Sequence, residues 1–413
     1  MKFSILLFLL VSSQIWGRVL TLDHCVRQAL ESYPDIKSRA LRVREQHEDV
    51  ALKKGDWLPQ ISAWGEYDPQ RTYVMPQNGQ FHTIDDDGWA VGIALRQQLY
   101  DFSRTSRSID ASKSRKAFLE LSYEEAKALI RYRVRTAYAQ LLVQKAALQT
   151  RRKDFEAKTA LHTQARALLE QGLKTPADES RLRAAAEQAA DAVAQAKAAV
   201  DKARYRLERY IGEPVDAEAE LEEAPLYTAV ADPVDTNATL DNNLLLKIAD
   251  KNIEIANETY RAKNAEHYGS IDLIAEANHF DTLSRYDTTL AGIRYTVPLY
   301  NGGRISAQAQ QSRIAELIAR QNEASQRRTV VEEIRGIAAD LAEIRRRIEA
   351  RRAQERAALD TKKLVEARYA QGLSTYIEVL DAEALWLDAR LGLLEAYYTQ
   401  TERRYRLEYL NAN

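Results

Sequence analysis

The sequence predicts an α+β chain built as a tandem duplication, each copy a pair of β-strands joined to a very long, coiled-coil-like helical hairpin. Three observations predict it. Blocks of sequence recur at a fixed offset, long stretches contain no helix breaker, and two short regions alternate apolar with polar residues.

The repeat is visible in GIALRQQLYDFSR (92–104) and GIRYTVPLYNGGR (292–304), which lie 200 residues apart. The same offset relates Gln171-Gly172-Leu173 to Gln371-Gly372-Leu373, and Arg204-Tyr205-Arg206-Leu207-Glu208 to Arg404-Tyr405-Arg406-Leu407-Glu408. Upstream the offset is 210, pairing Ile61 with Ile271 and Glu66 with Glu276. About ten extra residues therefore lie in the first copy, and the turn-rich stretch 69–88 is the expected loop that holds them.

The chain has 15 Gly and 9 Pro in 413 residues, and neither occurs between Ile93 and Gln171. After Pro298 there is no further proline. Such gaps predict helices over 102–170 and from 304 onward, each about 68 residues or ~100 Å long. Each breaks briefly, at QGLKTP or QGLST, and returns as a helix over 177–211 or 375–410. In the last helix Leu380, Ala384, Leu387, Leu391, Leu394, Tyr398, Thr401 and Tyr405 step alternately by four and three, a coiled-coil seam.

The remaining elements follow in order. MKFSILLFLLVSSQIWGR has a basic start and a short apolar run, as a secretory signal peptide over 1–17 does. The first repeat, 18–211, opens with a helix (22–55). Its strand pair lies within 57–100, as 57–68 with 89–100, and its long hairpin spans 102–211. Residues 212–238, proline-containing and acidic, form a linker or an irregular packed segment. The second repeat, 239–413, has a helix (239–267), a strand pair within 270–300 (270–280 with 288–299) and a hairpin (304–410).

Along 89–99, Trp89, Val91, Ile93 and Leu95 alternate with Ala90, Gly92, Ala94 and Arg96. One apolar and one polar face suits a porin-type strand, and equally a soluble antiparallel sheet. Trp57, Trp64, Trp89, Tyr100, Tyr268, Phe280, Tyr286 and Tyr300 sit near strand ends, as interfacial aromatics do.

Several function classes are excluded. A net charge of −1 provides no polyanion-binding surface, so no nucleic-acid partner is expected. Cys25 is the only cysteine, read as a half-buried helix residue, and no disulfide framework is available. The six histidines are scattered without metal-ligand spacing, and there is no phosphate loop or nucleophile elbow. No enzyme, metal or cofactor is expected. The acids that stand out are Glu378 and Asp381, three apart near a helix start, and Asp178 at the equivalent place in the first copy. They suit the helix dipole, or a cation-attracting ring if several copies surround an axis.

Taken together, the junction Val297-Pro298-Leu299-Tyr300-Asn301-Gly302-Gly303-Arg304, the segment Arg368-Tyr369-Ala370-Gln371-Gly372-Leu373-Ser374-Thr375 and the following Ile377-Glu378-Val379-Leu380-Asp381-Ala382 resemble the outer-membrane efflux protein (TolC-like) family. The resemblance covers essentially the whole mature chain. It implies an α+β membrane protein, a homotrimer whose 12-strand β-barrel in outer-membrane lipid is continuous with a 12-helix periplasmic α-barrel. The implied function is a passive outer-membrane duct of a tripartite efflux or type I secretion system, partnered by a periplasmic adaptor and an inner-membrane pump.

The resemblance also assigns roles. Gly172, Leu173, Thr175, Gly372, Leu373, Ser374 and Thr375 fall at adaptor-contacting helix tips, and Asp178, Glu378 and Asp381 at the periplasmic aperture. Pro298, Leu299, Tyr300, Gly302, Gly303 and Arg304 form the barrel-to-tunnel junction. Two features depart from the family. Ser374 stands where the archetype has a gating arginine, and QQLYDFSR lacks the proline and both glycines of the second junction. The alternative reading is a soluble periplasmic coiled-coil adaptor or scaffold.

Overall fold

The computed structural model describes residues 19–77, 79–228 and 235–412. The signal peptide expected over 1–17 lies outside the described residues, as do residues 229–234 of the segment between the repeats. The elements run α1 (Leu22–Ser32), α2 (Pro34–Gly55), β1 (Gln60–Gln77), β2 (Gln80–Tyr100), α3 (Arg104–Glu170), α4 (Pro176–Ile211), α5 (Ala224–Tyr227), α6 (Thr236–Asn242), α7 (Leu244–Ala265), β3 (Ser270–Asp281), β4 (Arg285–Thr296), α8 (Arg304–Ala370) and α9 (Tyr376–Leu410). The single helix expected over 22–55 is broken at Tyr33, whose extended backbone is what the residue before a proline prefers.

Contacts divide the chain into two compact units, and α3 and α8 contribute to both. The first contains residues up to Lys37, Glu125–Asn243 and Thr329–Asn413; the second contains Ser38–Glu124 and Leu244–Arg328. No helix among the described residues is long and apolar enough to cross a membrane.

In the first unit the helices pack on buried apolar residues, among them Ile130, Val134, Leu141, Ile334 and Leu341, and are tied across by aromatic and charged side chains. Tyr132 Oη donates to Glu402 (2.9 Å) and Tyr409 Oη to Glu125 (2.8 Å), both between α3 and α9. Arg352 Nε donates to Tyr397 Oη and Arg406 Nε to Glu333, both 2.5 Å, between α8 and α9. In α9, Leu394, Thr401 and Tyr405 of the expected seam are buried, but Ala384 is exposed. A second stripe with Val379, Ala382, Ala389, Leu393, Ala396 and Gln400 is buried as well, so α9 packs on two faces. A helix with neighbours on both sides needs two stripes, and a single-seam pattern understates its contacts.

The segment following α4 is pinned rather than loose. Tyr138, fully buried on α3, donates to Leu20 O (2.6 Å) and accepts from Glu222 N (2.7 Å). Lys145 Nζ donates to Ala219 O (2.6 Å), and Thr401 and Arg404 on α9 hold the carbonyls of Leu226 and Pro225. Cys25 is fully buried rather than half-buried, and burial pushes its thiol up to about 12.

The second unit is built on an antiparallel sheet in the order β1-β2-β3-β4. Its register sets two faces. Ile61 opposes Leu95, Ala63 opposes Ile93 and Tyr67 opposes Trp89; on the same face Leu95 opposes Ala275, which opposes Ala291. The other face carries Gln60, Ser62, Glu66, Arg96, Asp272, Glu276 and Asn278.

The stretch 69–88, expected as a loop, instead lengthens the first strand pair. Pairing continues from Arg71↔Asp86 to Gln77↔Gln80 after a bulge between Asp68 and Arg71. Pro69 falls in that bulge and Pro76 lies one pair from the hairpin turn, positions where a proline disturbs the ladder least. Trp64 also departs from expectation. It opposes Gly92 and so lies on the polar face, 6.4 Å from Phe280, which itself stacks on Tyr286 at 4.9 Å. Tyr67 opposes Trp89 on the apolar face, where Tyr100 also lies, opposite Ile271.

Candidate functional site

Two joints and two helix tips repeat in the chain, and each is built by local chemistry. At the second joint β4 ends at Thr296, before Pro298, rather than near Leu299 as the alternation suggested. Pro298 has no N–H for a ladder, so pairing stops there. Leu299 and Tyr300 follow, 92% and 89% exposed, and Gly302 and Gly303 turn the chain with φ of 67° and 75°. α8 then begins at Arg304.

The first joint makes the same turn without glycine. Phe102 and Ser103 occupy the equivalent positions with φ of 54° and 72°. Left-handed backbone costs an L-residue about 1 kcal/mol or more. Neighbouring contacts hold it there: Phe102 lies 5.0 Å from the Tyr100 ring and 5.4 Å from Tyr268. Asp101, fully buried, accepts from Thr105 N (2.7 Å) and Gln98 Nε2 (2.6 Å), which caps the first turn of α3. Ser103 has an exposed side chain with no hydrogen bond among the described residues, so Ser103→Gly is expected to stabilise the protein by about 0.5–1 kcal/mol. A higher thermal midpoint in detergent is the readout; an unchanged or lower one contradicts the strain.

Beside the first joint, within the second unit, lies a hollow of about 690 Å³ lined mostly by polar side chains, among them Gln46, Asp49, Lys53, Arg96, Arg104 and Asp272. Arg96 pairs with Asp272 across it (3.4 Å), and Ser112 bridges α3 to Gln46 and Asp49 on α2. The polar face of the sheet therefore continues into a polar helical wall.

The tips form alike. Each outgoing helix ends in a Schellman motif: Leu173 N donates to Leu168 O (2.8 Å) and Leu373 N to Arg368 O (2.9 Å), with Gly172 and Gly372 left-handed. Leu173 and Leu373 are left 68% and 63% exposed. The returning helices are capped by Thr175 and Thr375, both exposed.

Two of the three expected aperture acids serve these caps. Asp178 forms a capping box with Thr175, accepting from Thr175 N (3.1 Å) while its own N–H reaches Thr175 Oγ1 (3.2 Å). Backbone and hydroxyl bonds from Thr175, then Tyr376, hold the Asp178 carboxyl below its usual range. Glu378 accepts from Ser374 Oγ and from Thr375 Oγ1 (3.3 Å), and the Ser374 bond chiefly lowers its pKa. Because both values are depressed, the caps are intact above the ordinary carboxylate range and weaken only as pH falls through it. Asp381 is exposed and makes no hydrogen bond or ion pair among the described residues.

What the sequence did not reveal is a clasp between the tips. Tyr376, the first residue of α9, is buried against Ala165 of α3 and Leu182 of α4, with Leu161, Tyr369 and Leu380 around it. Lys174 Nζ lies 5.3 Å over its ring. The two hairpins are thus joined where they turn. Among the described residues no group of three His, Cys, Asp or Glu side chains is arranged to hold a metal ion.

This architecture has known counterparts. The outer membrane efflux protein family matches residues 25–213 and 236–412. The outer membrane efflux protein BepC of Brucella suis is 26% identical over 307 residues, which span 71% of this chain and 63%, less than two thirds, of that protein. The outer membrane protein TolC of Vibrio cholerae is 24% identical over 404 residues, covering 94% of this chain and 89% of that one. The crystal structure of the outer membrane protein VceC, also from Vibrio cholerae, superposes with a TM-score of 0.83 at 17% identity, covering 95% and 96% of the two chains. At that identity the structural likeness speaks for the fold alone. With both repeats matched, the chain belongs to the outer membrane efflux protein family: a TolC-like channel component of the outer membrane with a periplasmic helical part, and not an enzyme.

Proposed function

We propose that this chain is one third of a passive homotrimeric duct that spans the outer membrane and reaches into the periplasm. The observation that carries the reading is the sheet. Its outer strands β1 and β4 have no partner on their far edges among the described residues, and one of its faces is apolar. Ile61, Ile93 and Ile293 are 70%, 57% and 70% exposed. Unpaired strand edges are not tolerated in hydrocarbon, so the edge strands join those of neighbouring copies. Three copies of a four-stranded sheet make the 12-strand barrel, apolar outside and polar within. The joints then carry each chain from barrel wall to a 12-helix tunnel wall, with Leu299 and Tyr300 at the lipid interface and Pro298, Gly302, Gly303 and Arg304 making the change of direction.

The tips carry the partner roles. Exposed Leu173 and Leu373, with Gly172, Thr175, Gly372, Ser374 and Thr375, form the surface that meets a periplasmic adaptor, which links the duct to an inner-membrane pump. Glu378 and Asp381 line the periplasmic aperture, three residues apart on one helical face. Asp178 belongs to the same region and, like Glu378, also serves its helix cap. Ser374, where the archetype has arginine, holds Glu378 within its own chain, so closure here does not depend on an arginine clasp.

Fractionation tests the reading. The protein is expected in outer membranes and as a trimer in detergent; a monomer confined to the soluble periplasm would contradict it. For the aperture, Glu378→Ala with Asp381→Ala is expected to weaken block by multivalent cations at least tenfold in conductance recordings, since rings of carboxylates concentrate cations. Unchanged block would remove these residues from the aperture.

A further inference from the structure

One buried carboxyl in the helical unit has no part in the caps or the joints. Glu383, on α9, is 1% exposed, and its Oε2 has no hydrogen-bond donor among the described residues. Its nearest cation is Lys362 of α8, with Nζ 3.7 Å from Oε1. That lysine is shared: it lies 3.6 Å from Glu366 and 4.6 Å over the Trp386 ring. From α3, Asp154 and Lys158 face the same spot, but they are paired with each other at 2.9 Å, and Asp154 is itself buried. Trp386 Nε1, one turn along α9, is likewise buried with no hydrogen-bond acceptor among the described residues. Glu383 thus sits where α3, α8 and α9 meet, with one long contact to a divided cation.

An ionised carboxylate in that position is poorly compensated. Burial raises the Glu383 carboxyl above its ordinary range, Lys362 and Lys158 opposing and Asp154 and Glu366 adding to it. The first repeat has exposed Arg183 at the equivalent place, so the feature belongs to the second hairpin alone.

We propose that Glu383 is a proton-operated fastener: with its proton it holds α9 packed against α3 and α8, and on losing the proton it loosens that packing. The sign follows from linkage. The packed state binds the proton more tightly than the parted state, so its advantage is full in acid and is lost as pH rises through the raised value. The caps at Asp178 and Glu378 respond in the opposite direction and at lower pH, so the two effects occupy different windows. The consequence for transport rests on the duct reading above, in that parting the hairpin ends is what widens the periplasmic mouth. An acid periplasm holds the mouth shut, and neutral to alkaline conditions ease it open.

Hydrogen exchange of the intact trimer in detergent tests this, with rates corrected for the intrinsic pH dependence of exchange. Amides over 376–392 in the wild type are expected to lose protection by roughly three- to tenfold between about pH 5 and about pH 8. Glu383→Gln, which stays neutral, is expected to keep its acid-level protection throughout. Lys362→Met removes the opposing cation and is expected to deepen the alkaline loss; it carries the test alone should the Gln variant fail to assemble. A pH-independent wild type, a Gln variant that follows the wild-type profile, or a Met variant with no deeper loss would overturn the proposal. Flat exchange with intact conductance rejects the fastener and leaves the duct; pH-dependent exchange without conductance does the reverse.

Discussion

Gly269→Ala is expected to prevent stable assembly. Gly269 precedes β3 with φ of 76°, and a Cβ there would lie 2.0 Å from Thr296 O and 2.8 Å from Val297 Cα. Both are backbone atoms at the end of β4, so no side chain can swing aside to make room. Ser270, the next residue, pairs with Thr296, and adding the methyl group therefore forces the β3–β4 ladder apart at its base. Left-handed strain and overpacking together cost about 3 kcal/mol or more. The detergent-resistant trimer should be largely lost. Gly292→Ala is the control, since nothing lies within 4 Å of a Cβ at that position in β4; it should assemble normally. Equal behaviour of the two variants would mean that the close approach at Gly269 is not structurally important.

Tyr376→Ala should release the two hairpins from each other at their tips. The side chain is 7% exposed and fills the space between Ala165 and Leu182. Removing a buried aromatic of this size costs about 3 kcal/mol. Because the clasp lies at the end of the helices, the loss should appear as local opening, with faster protease cleavage near Leu173 and Leu373 and little change in barrel assembly. Tyr376→Phe keeps the packing and removes only the hydroxyl that faces Asp178, so it should change cleavage little. Wild-type cleavage rates in the Ala variant would show that the tips are held by something else.

How much of this was legible in the sequence depended on whether the cause was local. The repeat, the breaker-free runs and the turn residues Gly302 and Gly303 located the joints and tips, because each follows from backbone preferences over a few residues. The same logic misread 69–88, where Pro69, Pro76 and Gly79 look like loop punctuation. Pro69 lies in the bulge between Asp68 and Arg71 and Pro76 one pair from the hairpin turn, so these residues coexist with pairing. The glycine-free joint at Phe102-Ser103 was also hidden, since the aromatic contacts that hold it come from Tyr100 and from distant Tyr268.

Side-chain roles were harder still. Asp178 and Glu378 read equally well as helix-start acids or as pore acids, and their cap bonds are local enough to have been inferred from Thr175 and Thr375. Tyr376 and Glu383 gave no such signal. Each is buried by a residue more than 190 positions away in sequence, Leu182 in one case and Asp154 in the other. In TYIEVLDAEAL, Glu383 resembles any exposed acid of a long helix. Only the packing of α3 against α9 distinguishes it.

The central claim is that three copies of this chain enclose one water-filled path from barrel to helical tunnel. Reconstitution of the purified trimer into a planar lipid bilayer tests it most directly. Discrete, uniform conductance steps are expected, with cation preference reduced by Glu378→Ala and Asp381→Ala together. A correctly assembled, membrane-inserted trimer that passes no current under any pH between about 5 and 8 would contradict it.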